Sequence, residues 1–232
     1  MMNRIYKSDN PLSTAQISAK LNIRPYNIIC LVFIFTMILA NISSVKILTF
    51  NATDILSSFY VIPFIYSIIA VTAEIYGNKA SIKLIWFSVI VSATCTLMLY
   101  LTAFFPDAPD IELNGHYNNI MVELMKITWG NIIALIIAGY INSILISKSK
   151  LKFVGKYLAA RTLFSSIFSL SLHGLIFCLF ASIIIDGFSF SKIIPSFIMI
   201  SALIQFVMYP IASIVINYLK DKDQIEHFDF KT

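Results

Sequence analysis

Apolar residues in this chain come in runs too long for strands and too uniform for the one-sided stripe of a surface helix. Six runs stand out: Asn27–Val45, Ile55–Ala73, Leu84–Phe105, Thr128–Ile146, Thr162–Ile185 and Ile194–Leu219. A helix needs about 20 mostly apolar residues to cross hydrocarbon, and each run is of that order. The last is long enough to tilt or to protrude. The pattern predicts an all-α polytopic membrane protein with six transmembrane helices. Residues 1–26 then form an N-terminal tail, 27–220 one membrane domain and 221–232 a C-terminal tail.

Composition supports lipid as the solvent. Of 232 residues, 58% are hydrophobic and 12% charged, with a mean hydropathy of +0.83. A soluble domain carries about 25% charge, so this chain lacks the polar residues to cover itself in water. Cys30, Cys95 and Cys178 all lie inside apolar runs and read as small packing residues, not as a disulfide or metal framework. The lysines sit at loop ends and form no stripe, so nucleic acid is not an expected partner. No apolar segment starts near Met1, and the tail reads as cytoplasmic and uncleaved. Within it, Leu12–Leu21 has the spacing of a short amphipathic helix.

Charge placement predicts the orientation. With six crossings both termini share one side. That side holds Arg4, Lys7, Lys20, Arg24, Lys79, Lys83, Lys148, Lys150, Lys152, Lys156, Arg161, Lys220, Lys222 and Lys231, while Lys46, Lys126 and Lys192 lie opposite. Fourteen of the 17 cations on one side predict cytoplasmic termini. The basic segment Ser147–Lys156 reads as a topology signal facing anionic lipid. The opposite loop, Pro106–Ile127, is acidic at its start, and Ile120, Met121, Leu124 and Ile127 could line a short interfacial helix.

Polar residues within or beside the runs are the candidate chemistry. Glu74 ends the carboxylate-free stretch Ile55–Val71 and is followed by Gly77 and Asn78, which stop a helix. A carboxylate at the edge of hydrocarbon is costly and marks a candidate functional residue. The plainer alternative is an interfacial carboxylate paired with Lys79 or Lys83. In the fifth run Arg161, Ser165, Ser169 and His173 recur every four residues and share one slowly rotating helix face, with Ser166 and Gly174 beside it. Small serines also allow close helix approach, a purely structural use. Asn41 marks the end of the first run, Asn131 and Asn142 lie in the fourth, and Gln205 lies in the sixth. Pro63 and Pro210 are expected to bend the second and sixth helices. His116, His173 and His227 are too scattered for a metal site. No G-x-S-x-G, H-E-x-x-H or P-loop occurs, so neither an enzyme nor a cofactor is expected.

Ala40–Lys46, Ala73-Glu74-Ile75-Tyr76-Gly77 with Lys79 and Trp86, Asn142-Ser143 with Ser147-Lys148, Arg161 with Ser165-Ser166 and Phe177, and Pro210 come in an order and spacing that resembles the queuosine precursor transporter family, also called the vitamin uptake (VUT) family. The E-I-Y-G stretch is the most specific, and the resemblance runs from about Asn41 to Lys220. Ala70, Gly139, Leu170 and His173 depart from the family's polar pattern. The resemblance implies a six-helix bacterial inner-membrane transporter that takes up 7-cyano-7-deazaguanine or its aminomethyl relative. Together with the polar residues read within the spans, it points to a candidate substrate site drawn from Glu74, Arg161, Asn41, His173, Tyr76, Ser165, Ser169, Asn142 and Gln205. Glu74 would accept the ring N–H and exocyclic amine of the base in bidentate fashion. Arg161 or an asparagine would donate to its carbonyl, and Phe64, Tyr66 or Tyr76 would stack on the ring. The expected partners are a purine-like small molecule and the bilayer, and a homo-oligomer is compatible with such a chain. Two other readings stand beside this one: a membrane binding subunit that needs a separate energising complex, and a non-transporting scaffold.

Overall fold

The structure, a computed structural model, describes residues 25–50, 53–106, 113–184 and 190–223. Among them are six helices long and apolar enough to cross a membrane, as the apolar runs predict. The α-helices are α1 (Pro25–Ser44), α2 (Ile62–Tyr76), α3 (Asn78–Thr102), α4 (Leu113–Lys152), α5 (Leu158–Ile184) and α6 (Phe190–Asp223), and the second span, Ser57–Tyr76, reaches its length through a 3-10 turn ahead of the 15-residue α2. The expected helix at 12–21, most of the acidic start of the 106–127 loop and His227 lie outside the described residues.

The connection between the first two helices corrects the sequence reading. Ile55 and Leu56 begin no helix; they belong to an antiparallel hairpin of β1 (Ile47–Phe50) and β2 (Thr53–Leu56), with Ile47 opposite Leu56 and Phe50 opposite Thr53. Branched and aromatic residues flanking Asn51 favour this extended pairing. A 3-10 turn, Ser57–Tyr60, then leads into α2. Pro63 falls in the first turn of α2, where its missing N–H removes no helix bond, so it does not kink the span as expected. Pro210 does lie inside α6, as does Pro195.

Twelve of the fifteen residues of α2 are buried, which makes it the central helix of the bundle. It packs against all five others. Phe33 and Met37 of α1, Ile65 and Ile69 of α2, Leu84 and Ile85 of α3, and Leu135 and Ala138 of α4 build the main apolar core around it. Many other large apolar side chains, among them Phe35, Phe87, Ile137, Phe164 and Phe206, point outward, where hydrocarbon would meet them.

Two glycines shape the bundle. Gly77 has φ 86° and ψ 172°, a conformation essentially reserved for glycine, and this lets α3 start at Asn78 directly after α2 ends. Gly174 of α5 lies against the ring of Phe197 of α6, with no room for a methyl group.

The segment 113–127 is continuous with α4 instead of forming a separate interfacial helix. Leu124 and Ile127 are buried there, whereas Ile120 is exposed. Most of the basic 147–156 segment is likewise the last turn of α4, and Lys150 is buried within the bundle.

A buried carboxylate and its cations

Glu74 stands on the last turn of α2 and is fully buried, not at an exposed margin. Its partners are not Lys79 and Lys83, both of which are exposed. Arg161 Nη2 of α5 donates to Glu74 Oε1 at 2.6 Å, and Lys220 Nζ of α6 donates to the same oxygen at 3.0 Å. Lys150 Nζ of α4 lies 3.8 Å from Oε1 and donates to the Glu74 backbone carbonyl at 2.7 Å. Four helices are thereby tied through one carboxylate. Short, charge-assisted bonds of this kind are the strong ones, and burial makes the loss of any one partner costly.

Local structure brings the cations together. The short loop 153–157 has positive φ at Val154, Gly155 and Tyr157, and Gly155 N donates back to Lys150 O at 2.9 Å. This tight reversal sets Lys150 and Arg161 side by side. Glu74 Oε2 and Arg161 Nε and Nη1 have no hydrogen-bond partner among the described residues.

A second polar level lies further along the same helices. Tyr66 Oη of α2 and His173 Nδ1 of α5 are 3.1 Å apart, with their rings edge to face. Asn142 Nδ2 of α4 donates to the Tyr66 carbonyl at 3.4 Å, and Gln205 Nε2 of α6 donates to Ser67 Oγ at 3.1 Å. Ser165 and Ser169 are buried on α5 between this level and Arg161. A third level, near the hairpin, joins Asn41 to Ser92 at 2.6 Å and Asn131 to Asn41 at 2.9 Å.

The structure therefore brings Glu74 and Arg161 into direct contact and gathers His173, Asn142 and Gln205 around Tyr66 and Ser67. Asn41 belongs to the third level, away from both. Tyr76 is set against the Tyr26 ring, with centroids 5.3 Å apart, and Phe64 is exposed on the outside of the bundle. Of the three proposed stacking rings only Tyr66 is buried in the interior.

Lys150 and Lys220 are the residues that sequence reasoning missed, because both were counted as margin charges. Their spacing held a usable signal. Asn142, Ile146 and Lys150 repeat every four residues on α4, as do Ile216 and Lys220 on α6, which places each lysine on a buried face.

A family model described as "putative vitamin uptake transporter" matches residues 56–217, more than half of the chain. The chain belongs to this family. The match includes Glu74, Lys150 and Arg161, as well as Ser92 and Asn131 of the third level, whereas Lys220 and Asn41 fall outside it. No curated protein and no solved structure matches the chain. Membership and the six apolar helices make this a multi-pass membrane protein of a transporter family.

Proposed function

We propose that this family member is a bacterial inner-membrane transporter for a queuosine precursor, 7-cyano-7-deazaguanine or its aminomethyl relative, or for a similar purine-like nutrient. The termini are cytoplasmic in this reading, as the charge partition predicts. The observation that carries it is Glu74: a fully buried carboxylate whose Oε1 is held by cations while Oε2 has no partner among the described residues.

The chemistry follows from that asymmetry. A deazaguanine presents a ring N–H and an exocyclic amine side by side. Because Oε1 is engaged, Oε2 with its two lone pairs is the acceptor for that edge, in place of a bidentate pair spread over both oxygens. Arg161, whose Nε and Nη1 lack partners among the described residues, donates to the ring carbonyl. Asn142, His173, Ser165, Ser169 and Gln205 line the approach along the bundle, and Tyr66 supplies a flat face.

Uptake of labelled 7-cyano-7-deazaguanine into cells that cannot make queuosine tests the reading. Accumulation should depend on this protein, and equal uptake with and without it would sink the substrate assignment. Purified protein in liposomes should transport unaided, whereas a binding subunit that needs an energising complex would not.

A further inference from the structure

We propose that the cleft at the hairpin end is the mouth of a solute path through the bundle and a first binding subsite for a neutral, planar heterocycle that carries an N–H. This rests on the transport reading above and adds the route by which a solute reaches Glu74.

The cleft has a volume of about 340 Å³ and lies between the hairpin, the start of α4, and α5, with Ser44, Leu56, Asn119, Glu123, Ile127 and Phe177 in its walls. Small-molecule pockets span roughly 300–1,000 Å³, so a bicyclic ring is of suitable size. Among the described residues that line it the charged ones are Glu123 and Lys126, paired with each other at 2.8 Å. A wall whose charges neutralise each other favours an uncharged solute. Phe177 offers an aromatic face.

Beneath the cleft stands an acceptor. Ile127 lines the cleft, and Asn131 lies one turn further on the same face of α4. Asn131 is 2% exposed; its Nδ2 donates to Asn41 Oδ1 at 2.9 Å and to Ser44 Oγ at 3.3 Å. Ser44 itself lines the cleft, while Asn131 Oδ1 has no donor among the described residues. A buried carbonyl without a donor is destabilising, and lipid cannot supply one. An N–H entering from the cleft would.

The path continues along the α4–α5 seam. These helices run antiparallel: Gly130 meets Phe177 and Phe180 at one level, and Lys150 and Arg161 share Glu74 at another. Between those levels Asn142 Oδ1, His173 Nε2, Ser169 Oγ and Ser166 Oγ are all buried and have no hydrogen-bond partner among the described residues. Unpartnered acceptors and hydroxyls thus recur from the cleft to Glu74 Oε2. The hairpin end is open through the cleft, whereas the cluster around Glu74 ties the other end together.

Cysteine accessibility tests this without a substrate. In a background with Cys30, Cys95 and Cys178 replaced, Ser44→Cys, Ile127→Cys and Asn131→Cys are compared with Ile137→Cys, on the outward face of α4. The protein is placed in lipid nanodiscs, and a water-soluble methanethiosulfonate is the probe. Ionised thiol is what reacts, and each pKa unit of desolvation lowers it about tenfold. The three path positions should therefore react about tenfold faster than Ile137→Cys or more. Should Asn131→Cys fail to fold, Ile127→Cys still decides. Path positions no faster than Ile137→Cys would overturn the path. Saturating 7-cyano-7-deazaguanine should slow labelling of Ser44→Cys several-fold. Unchanged labelling by a compound that cells nevertheless take up through this protein would overturn the subsite. A reactive Asn131→Cys with a compound neither transported nor protective would support the path and overturn the deazaguanine assignment instead.

Discussion

Glu74 answers to two demands at once, as counter-ion for buried cations and as the proposed acceptor for substrate. Glu74→Gln removes both. Deleting one partner of a buried ion pair costs about 3–5 kcal/mol, because Arg161 and Lys150 stay buried without their carboxylate. The variant should therefore unfold at a lower temperature in detergent, contrary to what a margin carboxylate paired with Lys79 or Lys83 would give. Losing a charge-assisted hydrogen bond costs roughly 1.5–3 kcal/mol, or about ten- to a hundredfold in affinity. Binding of 7-cyano-7-deazaguanine, measured on the surviving folded fraction, should fall by that factor. Wild-type stability with weakened binding would mean that the cations find other partners. Wild-type binding would remove Glu74 from the site. His173 is the second test at this scale. Its Nδ1 faces Tyr66 Oη, so His173→Asn should keep most stability and transport. His173→Leu leaves a buried hydroxyl alone, at a cost of about 1–3 kcal/mol. Equal behaviour of the two variants in thermal unfolding and uptake would assign His173 to packing.

At the scale of elements, the crossing of α5 and α6 depends on Gly174. A methyl group there would collide with Phe197, which is itself buried. Gly174→Ala should destabilise by about 1–3 kcal/mol through overpacking. Phe197→Leu in the same chain should recover part of the loss, because it trims the ring that collides. Thermal unfolding of the single and double variants measures the coupling, and strictly additive losses would place the strain elsewhere. Helix lengths were readable from the sequence only where apolar composition ended at a turn. The start of α2 was not, because Ile55 and Leu56 are as apolar as the helix that follows and only their pairing with Ile47 and Leu48 makes them a strand. The extent of α4 was missed for the opposite reason: its ends are polar and charged, yet the helix runs on through them.

Across the whole molecule, the charge partition predicts that the hairpin end faces outward and the Glu74 end faces the cytoplasm. Reporter fusions after Gly115 and Lys156 should read outside and cytoplasm respectively, and the reverse pattern would overturn the orientation. Lys150 is a poor fusion point, since its ammonium is bound within the bundle. That one residue shows where sequence and structure divide. Long apolar runs determine six spanning helices, because hydrocarbon admits only backbones that satisfy their own hydrogen bonds. The E-I-Y-G stretch marks the carboxylate and its helix stop through local chemistry alone. Which cations meet Glu74 was decided by the tertiary structure: the local reversal at 153–157 sets Lys150 beside Arg161, but Glu74 and Lys220 are far from that pair in sequence, and the packing of α4, α5 and α6 around α2 brings them together. The same packing set Asn41 in a level of its own, bonded to Ser92 and Asn131. A charge near a helix end looks the same in sequence whether it faces lipid headgroups or the interior; the rotation of its helix against its neighbours makes the difference.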